Sequence, residues 1–316
     1  MNLAITGYTG FVGTRLLEYV DPQSVTLLGR RYPFDKRFVK NTVLTDLASQ
    51  LDFKDSLSGI DVVIHLAGRA HIMGDSGLDS AEAYWKTNTS ATLALARQAA
   101  KLGVKRFIFV SSIKVNGEST ELDMPFTASD AKKPVDFYGQ SKSEAESQLL
   151  QLAKETGLEV VIIRPTLVYG PGVKANFASL LKLVSKGLPL PFGCIKNNKR
   201  SLVSVKNLVH LIITCIDHPK AVNQVFLVSD DHDVSTASMV KYMSHALGKS
   251  NRLLPVPLWC YRLAGKLVGK SDVVNRLIGS LQVDISHTKD TLGWIPPQTL
   301  EQGFRETVEA FIRNKK

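Results

Sequence analysis

The residues Gly7-Tyr8-Thr9-Gly10-Phe11-Val12-Gly13 constrain this chain more than any other stretch. They follow the short apolar run Leu3-Ala4-Ile5 and lead into Thr14-Arg15-Leu16-Leu17, so the glycines stand where a strand turns directly into a helix. Without a Cβ, such a turn is tight and brings backbone N–H groups close to a pyrophosphate, whose charge is favoured at the positive end of the helix dipole. The spacing is GxxGxxG. Its position predicts a dinucleotide site with Gly7, Gly10, Phe11, Val12 and Gly13 as cofactor-binding residues.

Further apolar runs at Val25-Leu28, Val62-His65, Phe107-Val110 and Val160-Ile163 alternate with helical patterns, which argues for a parallel sheet with helices on both faces. Residues 88–102 place Leu93, Ala96, Ala99 and Ala100 on one helix face and stop at Gly103, and a second helix is expected from about Phe137 to Glu155, closed by Gly157. After Arg164-Pro165 the regularity gives way to loops rich in Gly and Pro, where substrate-facing segments belong. The expected fold is α/β, a Rossmann-type doubly wound parallel sheet over 1–164 plus about 202–228. A smaller mixed α/β substrate-binding lobe takes about 165–201 plus 229–316.

Composition narrows the function. With 44% hydrophobic residues among 316, the chain is long enough for a packed core and shows no sign of disorder. Cys194, Cys215 and Cys260 are too few and too scattered for a disulfide framework or a four-ligand zinc site, so free thiols in a reducing compartment are expected. No signal peptide is evident, and the most apolar window, Leu253 to Val268, is broken by two prolines, Arg262 and Lys266. A cytoplasmic protein without stable membrane insertion is expected. The net charge of +10 comes from 39 Lys and Arg against 29 Asp and Glu spread along the chain, which suits an anionic small ligand better than nucleic acid. The histidines (His65, His71, His210, His218, His232, His245, His287) form no HxxxH pair, and Asp230-Asp231-His232-Asp233 reads as a loop, so no metal is expected. Pro255 to Lys270, apolar with interspersed cations, reads as a packing helix of the smaller lobe, with a membrane-surface segment as the alternative.

Tyr138-Gly139-Gln140-Ser141-Lys142 sets a phenol and an ammonium four residues apart on one helix face. A tyrosine of pKa about 10 is a poor base at neutral pH, but a neighbouring Lys⁺ and a cationic nicotinamide favour the phenolate. Upstream, Phe107-Ile108-Phe109-Val110-Ser111-Ser112 ends a strand in hydroxyls. Where an NAD site usually offers an acid to the ribose 2′-hydroxyl, this chain reads Leu28-Gly29-Arg30-Arg31. Guanidiniums suit a 2′-phosphate, so Arg30 and Arg31 lean toward NADP(H) over NAD(H).

Together these pieces resemble the extended short-chain dehydrogenase/reductase family, in particular its nucleotide-sugar epimerase and reductase branch. Also similar are His65-Leu66-Ala67-Gly68, Asn88, Val115-Asn116-Gly117, Arg164-Pro165 with Tyr169-Gly170-Pro171-Gly172, and Lys289 with Leu292-Gly293-Trp294-Ile295-Pro296. The resemblance implies Ser112, Tyr138 and Lys142 as catalytic residues. It adds Asp46 and Leu47 at the adenine edge, and Leu66, Ala67, Gly68 and Asn88, to the cofactor set. It implies a UDP-sugar substrate, with Asn176 at the diphosphate, Phe192 in the uracil-holding loop and Arg200 gripping a phosphate, and a homodimer paired through the helices at 88–102 and 138–155. Ser112 is followed by Ile113-Lys114 where dehydratase members carry Asp-Glu, which argues against a 4,6-dehydratase. The expected activity is oxidoreduction at C4 of a UDP-hexose or UDP-N-acetylhexosamine, and within this family the look of Val115-Asn116-Gly117 and of Arg164 to Gly172 leans toward the N-acetylhexosamine. Arg30 and Arg31 place an NAD(P)H-dependent 4-ketoreductase ahead of a 4-epimerase with bound NAD. A non-catalytic dinucleotide-binding redox sensor is the reading of another class, and the presence of both Tyr138 and Lys142 speaks against it.

Overall fold

The computed structural model describes residues 1–49, 52–70 and 77–314. The chain begins with β1 (Leu3–Thr6), α1 (Phe11–Leu16), β2 (Val25–Gly29), β3 (Thr42–Leu44), α2 (Lys54–Leu57) and β4 (Val62–His65). Next, α3 (Leu78–Tyr84) passes through a π-helical turn at Trp85–Ser90 into α4 (Ala91–Lys101), followed by β5 (Arg106–Val110), α5 (Phe137–Thr156) and β6 (Glu159–Pro165). Then come β7 (Leu167–Tyr169), α6 (Ala175–Ser185), β8 (Arg200–Ser204), α7 (Val205–Asp217), β9 (Val225–Val228) and β10 (Asp233–Val234). The remainder is helical: α8 (Thr236–Ala246), α9 (Leu258–Leu267), α10 (Ser271–Ile278), α11 (Ser286–Leu292) and α12 (Leu300–Arg313).

Seven strands form a parallel sheet in the order β3-β2-β1-β4-β5-β6-β9. Its strands are apolar at successive positions because both faces are covered. Leu3, Ile5, Val62, Ile64, Ile108, Val161 and Ile163 enter the core on one face. The alternate residues Ala4, Val63, Phe107, Phe109, Val160 and Ile162 enter the core on the other. The strand order reverses between β1 and β4, so a crevice opens there at the carboxyl ends of the strands.

The chain leaves this sheet at Pro165 and enters a second, three-stranded one at Leu167. There β8 runs parallel to β7 and antiparallel to β10. The smaller lobe packs around Tyr169, Phe177 and Phe304, whose ring centroids lie 4.9 to 5.4 Å apart. Asp230 joins the parts: its carboxylate accepts from Ser204 N, Asn207 Nδ2 and the Tyr169 hydroxyl at 2.8, 2.7 and 2.6 Å. The loop expected at 230–233 is therefore a buried junction at its first residue, and Asp233 already belongs to β10.

Two helices depart from expectation. The helix expected from Asn88 starts ten residues earlier, and a π-helical turn carries Asn88 and Thr89 inward. The Pro255–Lys270 segment is a helix of the smaller lobe, but Gly265 is the one buried residue of α9. The three cysteines are free, and no described helix is long and apolar enough to cross a membrane. His71 lies outside the described residues.

A buried ion pair fixes α5 to the end of β6. Arg164 donates from Nε and Nη2 to the two Glu146 carboxylate oxygens at 2.9 and 2.6 Å, and from Nη1 to Asn116 Oδ1 at 2.9 Å. Removing one partner leaves a buried charge without its fork, at a cost of about 3–5 kcal/mol. We expect Arg164→Leu to lower unfolding free energy by about 3 kcal/mol in urea titration, and a loss below about 1 kcal/mol would show that Lys132, 3.2 Å from Glu146, suffices alone.

Candidate active site

The crevice between β1 and β4 is shaped by glycine. Gly7 has φ +70°, and a Cβ there would lie 2.5 Å from Leu66 C and Ala67 N. A Cβ on Gly13 would lie 2.3 Å from the Gly7 carbonyl. Any other residue would push α1 away from the turn or the turn away from β4. Gly10 precedes α1 without a capping side chain, so the first-turn amides of Phe11 and Val12 are not taken up by a cap. Leu66, Ala67 and Gly68 form its opposite wall directly after β4, and a Cβ on Gly68 would lie 2.9 Å from Asn88 Oδ1 and 3.3 Å from Lys142 Nζ. These features fit a dinucleotide whose diphosphate crosses the glycine turn. Arg30 and Arg31 sit directly past β2, and Asp46 and Leu47 past β3. The two arginines are exposed, the Asp46 carboxylate caps Ala48 N at 3.1 Å, and Leu47 is partly buried.

One buried hydrogen-bond chain links the crevice to the YxxxK helix. Thr92 donates to the Asn88 carbonyl at 2.8 Å, which leaves its oxygen to accept from His65 Nε2 at 2.9 Å. His65 Nδ1 then accepts from Thr6 Oγ1 at 2.8 Å, and Thr6 Oγ1 accepts from Ala67 N at 3.2 Å. This donor order assigns neutral His65 with its proton on Nε2. Burial, aided by the Lys142 charge, pulls the His65 pKa down to about 3. Asn88 accepts from Arg69 N at 2.8 Å through Oδ1 and donates from Nδ2 to Ser141 Oγ at 3.1 Å. Thr89 Oγ1 donates to the Ser141 carbonyl at 2.8 Å.

Asp136 caps the start of α5 by accepting from Gly139 N at 2.7 Å, and α5 presents Tyr138 and Lys142 one turn apart. The Tyr138 side chain hydrogen-bonds that of Ser112, the residue that opens the turn after β5. Lys142 Nζ donates to the Val110 carbonyl at 3.1 Å and lies 4.4 Å from the Phe109 ring centroid. Ser112 and Tyr138 therefore meet, and Lys142 stands one helical turn beyond Tyr138 with its ammonium on the end of β5. Their electrostatics differ from the sequence expectation. Burial pushes the phenol up to about 12, with the Ser112 hydrogen bond pulling the other way, and burial brings the ammonium down to about 8. In the protein alone, desolvation outweighs any help the lysine gives the phenolate. Beside this group, the buried Ser111 hydroxyl has no hydrogen-bond partner within the protein.

A chain of charges connects this group to the smaller lobe. Lys114 pairs with Asp136 and, at 2.8 Å, with Glu118; Glu118 meets Arg276 Nη2 at 3.2 Å; and Arg200 Nη1 donates to the Arg276 carbonyl at 2.6 Å. Arg200 is thus built in between carbonyls, with burial and the Arg276 charge lowering its pKa. Sequence reasoning did not single out Arg276. It sits in the amphipathic helix α10, far along the chain from any motif. Asn176 lies in the first turn of α6. Phe192 is buried in the smaller lobe's apolar cluster, so its ring is packed inward and not presented at the surface.

Residues 3–229 match the model of the NAD dependent epimerase/dehydratase family. Over 314 residues the chain is 57% identical to a UDP-glucose 4-epimerase of Vibrio cholerae, spanning 99% of this chain and 96% of that one. It is 28% identical over 332 residues to the N-acetyl-alpha-D-glucosaminyl-diphospho-ditrans,octacis-undecaprenol 4-epimerase of Escherichia coli O157:H7, spanning 100% and 97% of the two chains. The crystal structure of UDP-glucose 4-epimerase from Thermotoga maritima with UDP-glucose shares the fold, with a TM-score of 0.80 over the full length of both chains at 23% identity.

The neutral His65 makes a pH prediction. Its unfolded pKa is 6.5 and its folded pKa about 3, so between these values the unfolded state binds the extra proton and stability falls as pH drops. In urea titrations from about pH 6 to about pH 4, the wild type should lose roughly 1 kcal/mol per pH unit more than His65→Gln. Parallel curves would contradict the buried neutral tautomer.

Proposed function

Because the chain belongs to the NAD dependent epimerase/dehydratase family, we propose that it is a UDP-sugar 4-epimerase, with Tyr138 moving the proton of the sugar's 4-hydroxyl group. The observation that carries this reading is the relationship to the Vibrio cholerae UDP-glucose 4-epimerase, which spans nearly the whole chain. The glycine turn would hold NAD, which when bound would accept a hydride from C4 and return it, with no net consumption. Tyr138 takes the hydroxyl proton as phenolate and returns it as phenol. Its high pKa in the protein alone means that the phenolate needs additional positive charge next to it, which an oxidised nicotinamide brings. Lys142, held by the Val110 carbonyl, keeps its ammonium beside Gly68, where a ribose would lie. Ser112 orients the phenol and the C4 oxygen through one hydroxyl.

In the smaller lobe, Arg200 and Arg276 form a paired cationic site suited to a diphosphate. Asn176 adds a polar group at the start of α6, and Phe192 supports the uracil loop from within the core. Lys114, bound to Glu118 and Asp136, places a cation close to Ser112 where a dehydratase needs acids. The ketoreductase placed first on the strength of Arg30 and Arg31 gives way, because the family is NAD dependent and the strongest of these relatives is an epimerase. The hexose, UDP-glucose or UDP-galactose, is preferred to the N-acetylhexosamine for the same reason. We further infer a cytoplasmic homodimer paired through α4 and α5; a monomer mass at micromolar concentration would contradict that pairing.

The test is incubation of the purified protein with UDP-glucose and no added NAD(P)H. UDP-galactose should form with NAD retained on the protein and no net change in nicotinamide absorbance. NAD(P)H consumed in step with product from a 4-keto sugar would establish the reductase instead. Tyr138→Phe should lower kcat about 10²-fold or more with substrate binding little changed, and Lys142→Met should reduce both NAD retention and turnover. Near-wild-type rates in either variant would refute the assigned roles.

A further inference from the structure

We propose that the α9–α10 hairpin docks this protein on an anionic lipid bilayer. Trp259, Leu263 and Leu267 recur at i, i+4 and i+8 on α9, so they form one stripe, and they are 65%, 51% and 78% exposed. Val268, 65% exposed, extends the stripe past the helix end. The inner side of α9 is occupied: Gly265 is buried, with a Cβ there 2.8 Å from Val274 Cγ2 of α10, and Tyr261 packs against the smaller lobe's apolar cluster. No residue of α10 is fully buried either. The two short helices thus pack on each other and on the lobe's core, and leave an apolar stripe that no described segment covers. A water-soluble surface ordinarily scatters such side chains singly.

Charge identifies the occupant. Arg252, Arg262, Lys266 and Lys270 are exposed and make no ion pair among the described residues. Asp272 is the single acid between positions 249 and 283. On the helix, Arg262 and Lys266 flank the stripe along one shoulder. A second copy pairing through this face by a two-fold axis would set these cations against their own equivalents, with Asp272 alone to compensate. An anionic bilayer satisfies both features, because the apolar stripe enters the boundary between headgroups and acyl chains while the cations meet lipid phosphates. Trp259 suits that boundary, where amphipathic rings gather.

The hairpin is rigidly tied to the substrate lobe. Leu190 N donates to the Arg252 carbonyl and Leu254 N to the Leu190 carbonyl, both at 2.8 Å, and Gly193 N donates to the Leu254 carbonyl at 2.9 Å. Docking through α9 would hold the loop at 190–193 at the membrane face. The inference stands whether or not the sugar assignment does, since it rests on surface chemistry away from Tyr138.

The experiment is co-sedimentation of the full-length protein with vesicles of phosphatidylcholine alone or mixed with phosphatidylglycerol. The wild type should partition about tenfold or more in favour of the anionic vesicles, and less so at high salt. Trp259→Ser/Leu263→Ser/Leu267→Ser should lose that partition while keeping turnover, and Arg262→Gln/Lys266→Gln/Lys270→Gln should weaken it. Equal, weak sedimentation with both vesicle types would overturn the proposal, as would anionic binding unchanged in both variants. A wild-type dimer that dissociates in the triple serine variant, without vesicle binding, would assign the face to a second copy and also overturn it.

Discussion

The catalytic cleft depends on the hydrogen-bond chain that starts at Thr6 and passes through His65, Thr92 and Asn88 to Ser141. In a sheet covered on both faces, a polar group at a strand end has no water to turn to and must be paired within the protein. Thr6 ends β1, His65 ends β4, and Asn88 and Thr89 are turned inward by the π-helical turn, so their pairing locks the glycine turn, the crossover helix and α5 in one register. That the histidine stays neutral is part of the arrangement, because a charged imidazole would need an acceptor where Thr6 donates.

On that frame, burial tunes the reacting groups more strongly than their mutual charge does. Tyr138 and Lys142 are both pushed toward their neutral forms, the phenol to about 12 and the ammonium to about 8. A phenol held protonated in the protein alone resists unproductive ionisation, and it becomes a base only when positive charge is brought next to it. For the proton transfer proposed for Tyr138, this desolvation ties the phenolate to an occupied cofactor site.

The smaller lobe is coupled to this centre by charge and backbone pairing together. Asp136, which caps the Tyr138 helix, holds Lys114, and Lys114 leads through Glu118 to Arg276 and Arg200. Alongside, Thr120 pairs with Ser280 and Phe126 with Val283, while Arg200 pairs with Leu281. The segment at 280–283 thus touches both the loop after Ser112 and the strand that carries Arg200. Packed against α10, α9 carries its stripe of Trp259, Leu263 and Leu267 out to solvent.

The sequence by itself determined the parallel sheet and the cofactor turn. Continuous apolar runs mean strands buried on both faces, and three glycines between a strand and a helix mean a close backbone approach; both are local constraints. YxxxK likewise placed Tyr138 and Lys142 on one helix face through periodicity alone, and Gly157 marked where that helix ends, at φ +78°. What local pattern could not carry was everything set by distant partners. Asn88 is aimed by a π-helical turn within a helix that begins at Leu78, Arg276 reaches Glu118 across more than 150 residues, and Arg200 is held by carbonyls of α10 and its end. Phe192 turns into the core because Tyr169, Phe177 and Phe304 form an apolar cluster there. The phenol's raised pKa depends on desolvation, a property of the assembled fold that no spacing encodes. The apolar character of Pro255–Lys270 was visible in the chain, but which face of α9 would be left to solvent was decided by Gly265 meeting Val274.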